Sequence, residues 1–544
     1  MNRRWLKNYD DGVPASLEYP EITLPQFLVD TAAEHPEYIV TTLNGDDISY
    51  RELDGKVNAL ARALGEMGVV RGDRVALILP NSPTYVIATY AVMKLGAIVV
   101  NINVMSHGEE LSSFINDSGS RIAITLDIFL QNVIDIVNST CLEEIVIHSV
   151  LGMEKKVETA DGLPEIKSVN DLVSAFPQKD FPLQCQVDDA AVLQYTSGST
   201  GTPKAAVLTH RNVVSNVIQV GSWNPHNHEG NPAVICIIPF FHVFGMTICL
   251  HLSVYSGYRM VLIPIFDWSS IVEFLNVIKA YRPISFPAVP ALFAALVSFP
   301  DVAEYPLSSI EIASVGGAPV PLWVQEEFEN LTGKKLSVAY GLSEASSSTH
   351  ISPFRNGAPP GSIGIPLPDT DARIVHVETG VRECPSGDVG ELTIKGPQIM
   401  QGYWNNKDLT EKSLRNGWFY TGDLAYMDEN GFFYIVDRKD DLIISSGFNV
   451  YPSDIEKALT RHAGVKDAGV VGAPDRIRGE SIVAFVVMEE GMSFDREELF
   501  NHCRRHLPEY KVPRRITQRD DIPYNRVGKP LRKVLREELQ RRKA

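Results

Sequence analysis

Short apolar runs of strand length recur along roughly the first 340 residues, each set beside a stretch with helical spacing, and this alternation limits the folds open to the chain. Leu53, Val57, Leu60, Leu64 and Met67 step by four, three, four and three, which is one face of an amphipathic helix; "DRVALILPN" after Gly72 then reads as a buried strand. The pattern returns in "RIAITL" near 121, "EEIVIHS" near 143, "NPAVICIIP" near 231, a helix from Trp268 and "IEIASVGGAP" near 310. Strands and helices alternating in this way give sheets with helices packed on them, an α/β fold. From about 360 the text changes: "IGIPLPDTDARIVHVETG", "GELTIKGPQIMQGYW" and "GFFYIVDR" read as a β-barrel-like or sheet subdomain. After "DRKDD" comes an α+β segment, with a helix from Ser453, strands "VKDAGVVGAP" and "SIVAFVVME", a helix from Asp495 and a basic tail helix.

One stretch does not serve the fold. "YTSGSTGTPKAAVLTH", from Tyr195 to His210, crowds Gly198, Gly201, the five hydroxyl residues Thr196, Ser197, Ser199, Thr200 and Thr202, and Lys204 into a loop. Glycine lets backbone N–H groups approach phosphate oxygens, and hydroxyls and a lysine add donors and charge. It is not a Walker A loop, because Gly201 is followed by Thr202, Pro203 and Lys204, so no Gly-Lys-Ser/Thr closes it.

Composition narrows the class. The formal charge of −17 argues against a protein that coats nucleic acid, although residues 440–544 carry 20 Lys/Arg against 17 Asp/Glu and so are mildly basic. Six cysteines, far apart and with no C-x-x-C pair, imply neither a disulfide framework nor a zinc site, and they fit a reducing, cytoplasmic setting. The N-terminal residues do not read as a secretory signal. "TYVIATYAVMKLGAIVVNINV", broken by Lys94 and Gly96, reads as a buried helix running into a strand and not as a membrane span.

"YTSGSTGTPK", "YGLSEA" (340–345), "WFYTGD" (418–423), "DRKDDLI" (437–443) and "NRVGK" (525–529) together resemble the adenylate-forming superfamily: acyl-CoA synthetases, luciferases and the adenylation domains of peptide synthetases. The blocks occur in family order across nearly the whole chain. "SGFNVYP" (446–452) and the opening "WLKNYDDGVP" look most like fatty acyl-CoA synthetases. The resemblance implies two steps: a carboxylate attacks the α-phosphate of ATP to give acyl-AMP and pyrophosphate, then the thiol of coenzyme A displaces AMP. Positioning and electrostatics dominate phosphoryl chemistry, which suits a glycine-rich loop with no nucleophile beside it.

The same resemblance assigns residues. Thr196, Ser197, Gly198, Ser199, Thr200, Gly201, Thr202 and Lys204 would hold the β- and γ-phosphates. Gly317, Ala318 and Pro319 would lie against the adenine, with Ala339, Tyr340, Gly341 and Leu342 in the next block, Tyr340 stacking on the base and Ser343 touching the α-phosphate. Glu344 and Thr200 would ligate Mg²⁺. Asp423 would accept the ribose hydroxyls, with Ile435 and Arg438 nearby. His242, in "PFFHVFGM", would face the acyl carboxylate and the thiol tunnel, while Lys529 would reach the α-phosphate during adenylation. Gly447, Phe448 and Asn449 would contact coenzyme A; Ile444, Ser445 and Ser446 stand where some relatives have basic residues.

About 90 residues part Lys529 from "DRKDD", a spacing that makes sense if a small mobile domain carries the lysine. The expected division is therefore 1–437 and 438–544, hinged near Asp440. The acid is expected to be a fatty acid; a medium-chain or aryl acid ligase, a luciferase-like oxygenase or a carrier-loading enzyme share the adenylation step. Residues around Trp223 to Asn231, Phe240 to Leu250 and Val315 to Gly316 are the expected pocket lining. No nucleic-acid partner and no transmembrane segment is expected, and a monomer or homodimer is; the sequence leaves peripheral membrane contact open.

Overall fold

The computed structural model describes residues 3–150, 164–196, 204–224, 230–266, 270–445, 448–475, 479–524 and 530–541. They form two compact units, one of residues 1–371 with 395–419 and one of residues 372–394 with 420–544. Compactness thus groups the strands at 372–394 and 420–438 with the C-terminal residues, whereas the division expected from the sequence falls after 437.

The first unit holds the expected α/β alternation in two sheets. In one, the order is Gly402–Tyr403, Lys204–Thr209, Ala190–Thr196, Ile98–Asn101, Arg74–Ile78, Ile122–Leu126, Glu144–His148, Glu165–Ser168. From Ala190–Thr196 onward these pairings are parallel, whereas Lys204–Thr209 runs antiparallel to both of its neighbours. In the other, Ile365–Pro366, Ser347–Ile351, Leu336–Leu342, Ile312–Gly316, Ser285–Ala288, Ala233–Cys236, Arg259–Leu262, Ile39–Leu43 and Asp46–Ser49 follow one another.

The stepped leucines sit on the helix Tyr50–Glu66, started by a capping box between Ser49 and Glu52 that satisfies two otherwise unpaired N–H groups. Its inner face packs on the helix Pro83–Lys94, which is buried from Thr84 to its end and leads into the strand Ile98–Asn101, as the greasy stretch implied. The lysine inside that stretch is 1% exposed and donates to Asp54 Oδ1 at 2.7 Å and Asn58 Oδ1 at 2.6 Å, so its charge is paired. Among the described residues no helix is long and apolar enough to cross a membrane.

Two features were not foreseen. Residues 3–19 strap across the strand region near 355–371: Asp10 accepts from Arg355 N and Asn356 N, the Tyr9 hydroxyl donates to Pro366 O at 2.7 Å, and Asp369 accepts from Ser16, Leu17 and Tyr19. Gly245–His251 is a π-helix, a wide turn that is rare and concentrated at functional sites.

In the second unit, a sheet pairs Asp371–Val375 with Gly390–Lys395, Gly390–Lys395 with Trp418–Met427 and Trp418–Met427 with Phe433–Arg438. The C-terminal α+β segment has a five-stranded sheet of Phe448–Val450, Ile443–Ser445, Gly479–Met488, Val465–Asp475 and Arg515–Gln518, with helices Pro452–Thr460, Arg496–His506 and Arg532–Arg541. Asp495 caps the second of these by accepting from Glu497 N and Glu498 N, close to the helix start read from the sequence.

Candidate active site

Thr196 closes one strand and Lys204 opens the next, directly opposite each other in the antiparallel register. Ser197, Gly198, Ser199, Thr200, Gly201 and Thr202 connect them and lie outside the described residues, as do Gly447 and Lys529; so do the side chains of Thr196, Phe448 and Asn449. The base of the hairpin is held firmly. The Tyr195 hydroxyl donates to Asp117 Oδ2 at 2.7 Å, and burial pushes that phenol's pKa up, so it stays protonated.

The other expected blocks of this unit leave the sheet side by side. Gly316 pairs with Ala339 in a parallel register, so "VGGAPV" and "AYGLSEA" emerge together at strand C-terminal ends, where open α/β sheets bind ligands. A side chain at Gly316 would place its Cβ 3.0 Å from Ala339 O and 3.5 Å from the Phe244 ring, which shows that the His242 loop reaches the same place. Gly317 follows with φ 88°, leading into Ala318 and Pro319.

Beyond Leu342, Ser343–Ala345 make a single 3₁₀ turn, and Ser346 and Ser347 then take φ values of 57° and 138°. Such values cost a non-glycine residue roughly 1–3 kcal/mol each and persist only where the surroundings impose them. Here Thr247 Oγ1 donates to Ser346 O, Ser346 Oγ donates to Gln398 O at 2.9 Å, and Met400 N donates to Glu344 O at 2.8 Å. Gly341 is obligatory for a different reason: a Cβ there would sit 1.6 Å from Ser347 O. The half-buried Glu344 carboxylate accepts from the Tyr403 hydroxyl at 2.7 Å through Oε1. Tyr340 meets His350 edge to face at 5.8 Å between centroids, and burial depresses the pKa of that histidine to about 3, so it is neutral.

His242 Nδ1 accepts from Phe244 N–H at 3.2 Å, so its neutral ring carries the proton on Nε2. The loop bearing it is bracketed from below by side chains that the sequence reading passed over. Asn81 Nδ2 donates to Cys236 O and Ile238 O, Asn81 Oδ1 accepts from Phe240 N, and Gln194 Nε2 donates to Phe241 O at 2.9 Å. Asn101 joins them, donating to Gln194 Oε1 at 3.1 Å, with the Tyr85 hydroxyl 2.5 Å from its Oδ1. The signal was present as polar residues inside apolar runs, "ILPNSPTY" and "VVNINV", but nothing in the spacing shows what they hold.

In the second unit, Asp423 and Arg438 lie opposite each other on neighbouring strands, with Arg438 Nη1 2.7 Å from Asp423 Oδ1. Asp423 is buried while Arg438 is 48% exposed at its side chain, so the pair sets a buried carboxylate beside a cation that reaches solvent. Ile435 is half-buried on the same strand as Arg438. Asp440 lies in the turn Lys439–Asp441. Around it, Lys439 Nζ donates to Glu391 Oε2 at 2.7 Å, and Arg532 donates to Asp437, Asp441 and Glu456, partners that the sequence reading did not name.

Among the described residues no group of three or more His, Cys, Asp or Glu could hold a metal ion. Glu344 instead supplies one hard oxygen donor, and Mg²⁺ is usually held by one or two carboxylates together with substrate phosphates. The residues present fit a cation that arrives with a nucleotide.

Comparison with known proteins shows the family. The family model for AMP-binding enzymes matches residues 28–404, and the model for the AMP-binding enzyme C-terminal domain matches residues 454–529. A long-chain-fatty-acid–CoA ligase of Bacillus subtilis (strain 168) is 38% identical over 98% of this chain and 98% of its own length. One of Escherichia coli O6:H1 is 34% identical over 99% of each. Among solved structures, ATP-bound MatB from Rhodopseudomonas palustris superposes with a TM-score of 0.84 at 27% identity, covering 95% of this chain and 99% of that one. With motifs in order, blocks at adjoining strand ends and matches over almost all its length, the chain belongs to the AMP-binding, adenylate-forming enzyme family.

Proposed function

We propose that this enzyme is a fatty acyl-CoA synthetase, which activates a fatty acid with ATP and passes the acyl group to coenzyme A. The observation that carries this reading is the nearly end-to-end match to enzymes named long-chain-fatty-acid–CoA ligases. The convergence of the Gly316, Ala339 and His242 segments supports it.

In the first half-reaction a carboxylate oxygen bonds to the α-phosphorus as the bond to the bridging oxygen breaks, and pyrophosphate leaves with that electron pair. In the second, the coenzyme A sulfur bonds to the acyl carbon, the bond from that carbon to the phosphate oxygen breaks, AMP leaves, and the thiol proton is lost. Residues 196–202 and Lys204 are assigned to the phosphates, Gly317–Pro319 and Ala339–Leu342 to the adenine, and Ser343 to the α-phosphate. Asp423 is assigned to the ribose hydroxyls with Arg438 and Ile435 beside it, and its carboxylate, buried and already oriented by Arg438, suits that role. Glu344 and Thr200 would hold Mg²⁺, which offsets phosphate charge when bound. His242, a donor through Nε2, is assigned to the acyl carboxylate, and Lys529 to the α-phosphate during adenylation.

The functional division is placed at 437/438 with Asp440 as hinge, so that Lys529 serves the first step and the segment of Gly447, Phe448 and Asn449 serves coenzyme A in the second. The cytoplasm is the proposed location, supported by six cysteines that are all free thiols. ATP–pyrophosphate exchange over straight-chain acids of about two to eighteen carbons and an aryl acid, followed by thioester assay with coenzyme A or a phosphopantetheine carrier, tests the reading. Long-chain acids with coenzyme A should be turned over best; preference for the aryl acid or for the carrier would overturn it.

A further inference from the structure

The link between Tyr403 and Glu344 has no counterpart in the sequence motifs. Tyr403 belongs to Gly402–Tyr403, a short strand laid antiparallel on Lys204–Thr209, the strand that leaves the phosphate loop, with Tyr403 opposite Ala206. It is pinned on both sides. Gln401 N donates to Val207 O at 3.0 Å, Trp404 N to Ala205 O at 2.8 Å, and Tyr403 N to Thr410 Oγ1 at 2.9 Å. Two residues before this strand, Met400 N donates to Glu344 O at 2.8 Å, so one segment grips both the backbone and the side chain of Glu344.

The chemistry lies in which carboxylate oxygen is taken. The Tyr403 phenol takes one of the two acceptor positions of Oε1 at 2.7 Å and draws on that oxygen's charge, which makes Oε2 the better donor to a cation. Mg²⁺ is small and octahedral and is commonly met by a carboxylate through one oxygen, whereas Ca²⁺ takes six to eight oxygens and readily engages both oxygens of a carboxylate. We propose that Tyr403 is a positioning residue that selects the metal: by capping one oxygen it holds Glu344 to one-oxygen ligation and so favours Mg²⁺ over Ca²⁺. This rests on the assignment of Glu344 as the metal-binding carboxylate.

The test uses the full-length enzyme, its Tyr403→Phe and Glu344→Gln variants and the double variant. Tyr403→Phe keeps the ring and deletes only the donor, and thermal melting confirms that each variant folds. Binding of α,β-methylene-ATP is titrated with MgCl₂ and with CaCl₂ by calorimetry, so the readout is equilibrium binding and not turnover. Tyr403→Phe should shift the Mg²⁺/Ca²⁺ ratio of half-saturating concentrations toward Ca²⁺ by about tenfold, the size of one hydrogen bond to a charged group. In the Glu344→Gln background the same substitution should shift the ratio little. Equal weakening with both cations, or an equal shift in the Glu344→Gln background, overturns the role of Tyr403 alone. If Glu344→Gln leaves the metal dependence of binding unchanged, the assignment of Glu344 falls, and this proposal with it.

Discussion

Mild acid should destabilise the first unit through three buried histidines. Burial depresses the pKa of His210 to about 4 and those of His251 and His350 to about 3. In the unfolded chain each returns to about 6.5, so the unfolded state binds protons that the folded state refuses. Their contribution to stability is whole above pH 6.5 and is lost as the pH falls from there toward the folded values. At about pH 5.5 each histidine costs about 1.4 kcal/mol relative to neutral pH, and the three together about 4 kcal/mol. That is a large share of the roughly 5–15 kcal/mol by which a native domain is stable. His148, also depressed by burial, adds in the same direction. Glu456 opposes it, since burial raises its pKa, but it belongs to the second unit. Urea unfolding followed by tryptophan emission, with Trp5 and Trp223 buried in the first unit, measures the effect at pH 7.5 and 5.5. His251→Gln keeps a partner for the Tyr90 hydroxyl, 3.0 Å from Nδ1 in the native protein, and should remove about a third of the acid loss. Equal stability at the two pH values, or an unchanged loss in that variant, would refute the reasoning.

Gly341→Ala should cost at least the roughly 1–3 kcal/mol of an overpacked core site and displace Glu344, because the clash is with the backbone of Ser347; wild-type melting and pyrophosphate exchange would show that the hairpin opens freely. Lys529→Ala should slow acyl-AMP formation by about 10² to 10³ while barely touching thioester formation from supplied acyl-AMP, a contrast that quenched-flow assays of each half-reaction resolve. Asp440→Pro fixes φ near −65° and restricts Lys439 before it, so pyrophosphate release should persist while acyl-CoA formation fails; full thioester turnover in that variant rules the residue out as the hinge.

The amphipathic helix Tyr50–Glu66, the buried helix Pro83–Lys94 and the strands around 74, 98 and 122 were legible because each writes its own period or its own continuous burial into adjacent residues. The "AYGLSEA" block was legible for another reason: Ala339 to Glu344 are consecutive, so one chain segment holds both the residues and their order. The grip of Met400 and Tyr403 on Glu344 was not, since it joins positions 56 and 59 apart that share no local pattern. The bracket of Asn81, Tyr85, Asn101 and Gln194 escaped for the same cause; single polar residues in apolar runs show that something must pair with them but not what.

Local spacing therefore made the sheet-and-helix alternation legible, and five motif blocks in order carried the resemblance to the family. Only the tertiary structure decided which oxygen of Glu344 is occupied, which nitrogen of His242 carries its proton, and that Ser346 and Ser347 hold left-handed backbone. The Glu344 and Ser346 features depend on hydrogen bonds closed between distant segments, and the His242 proton on a bond within its own loop, whose path the packing around it holds. A sequence states which groups are available, whereas distance and direction, on which each such bond depends, exist only once the chain has packed.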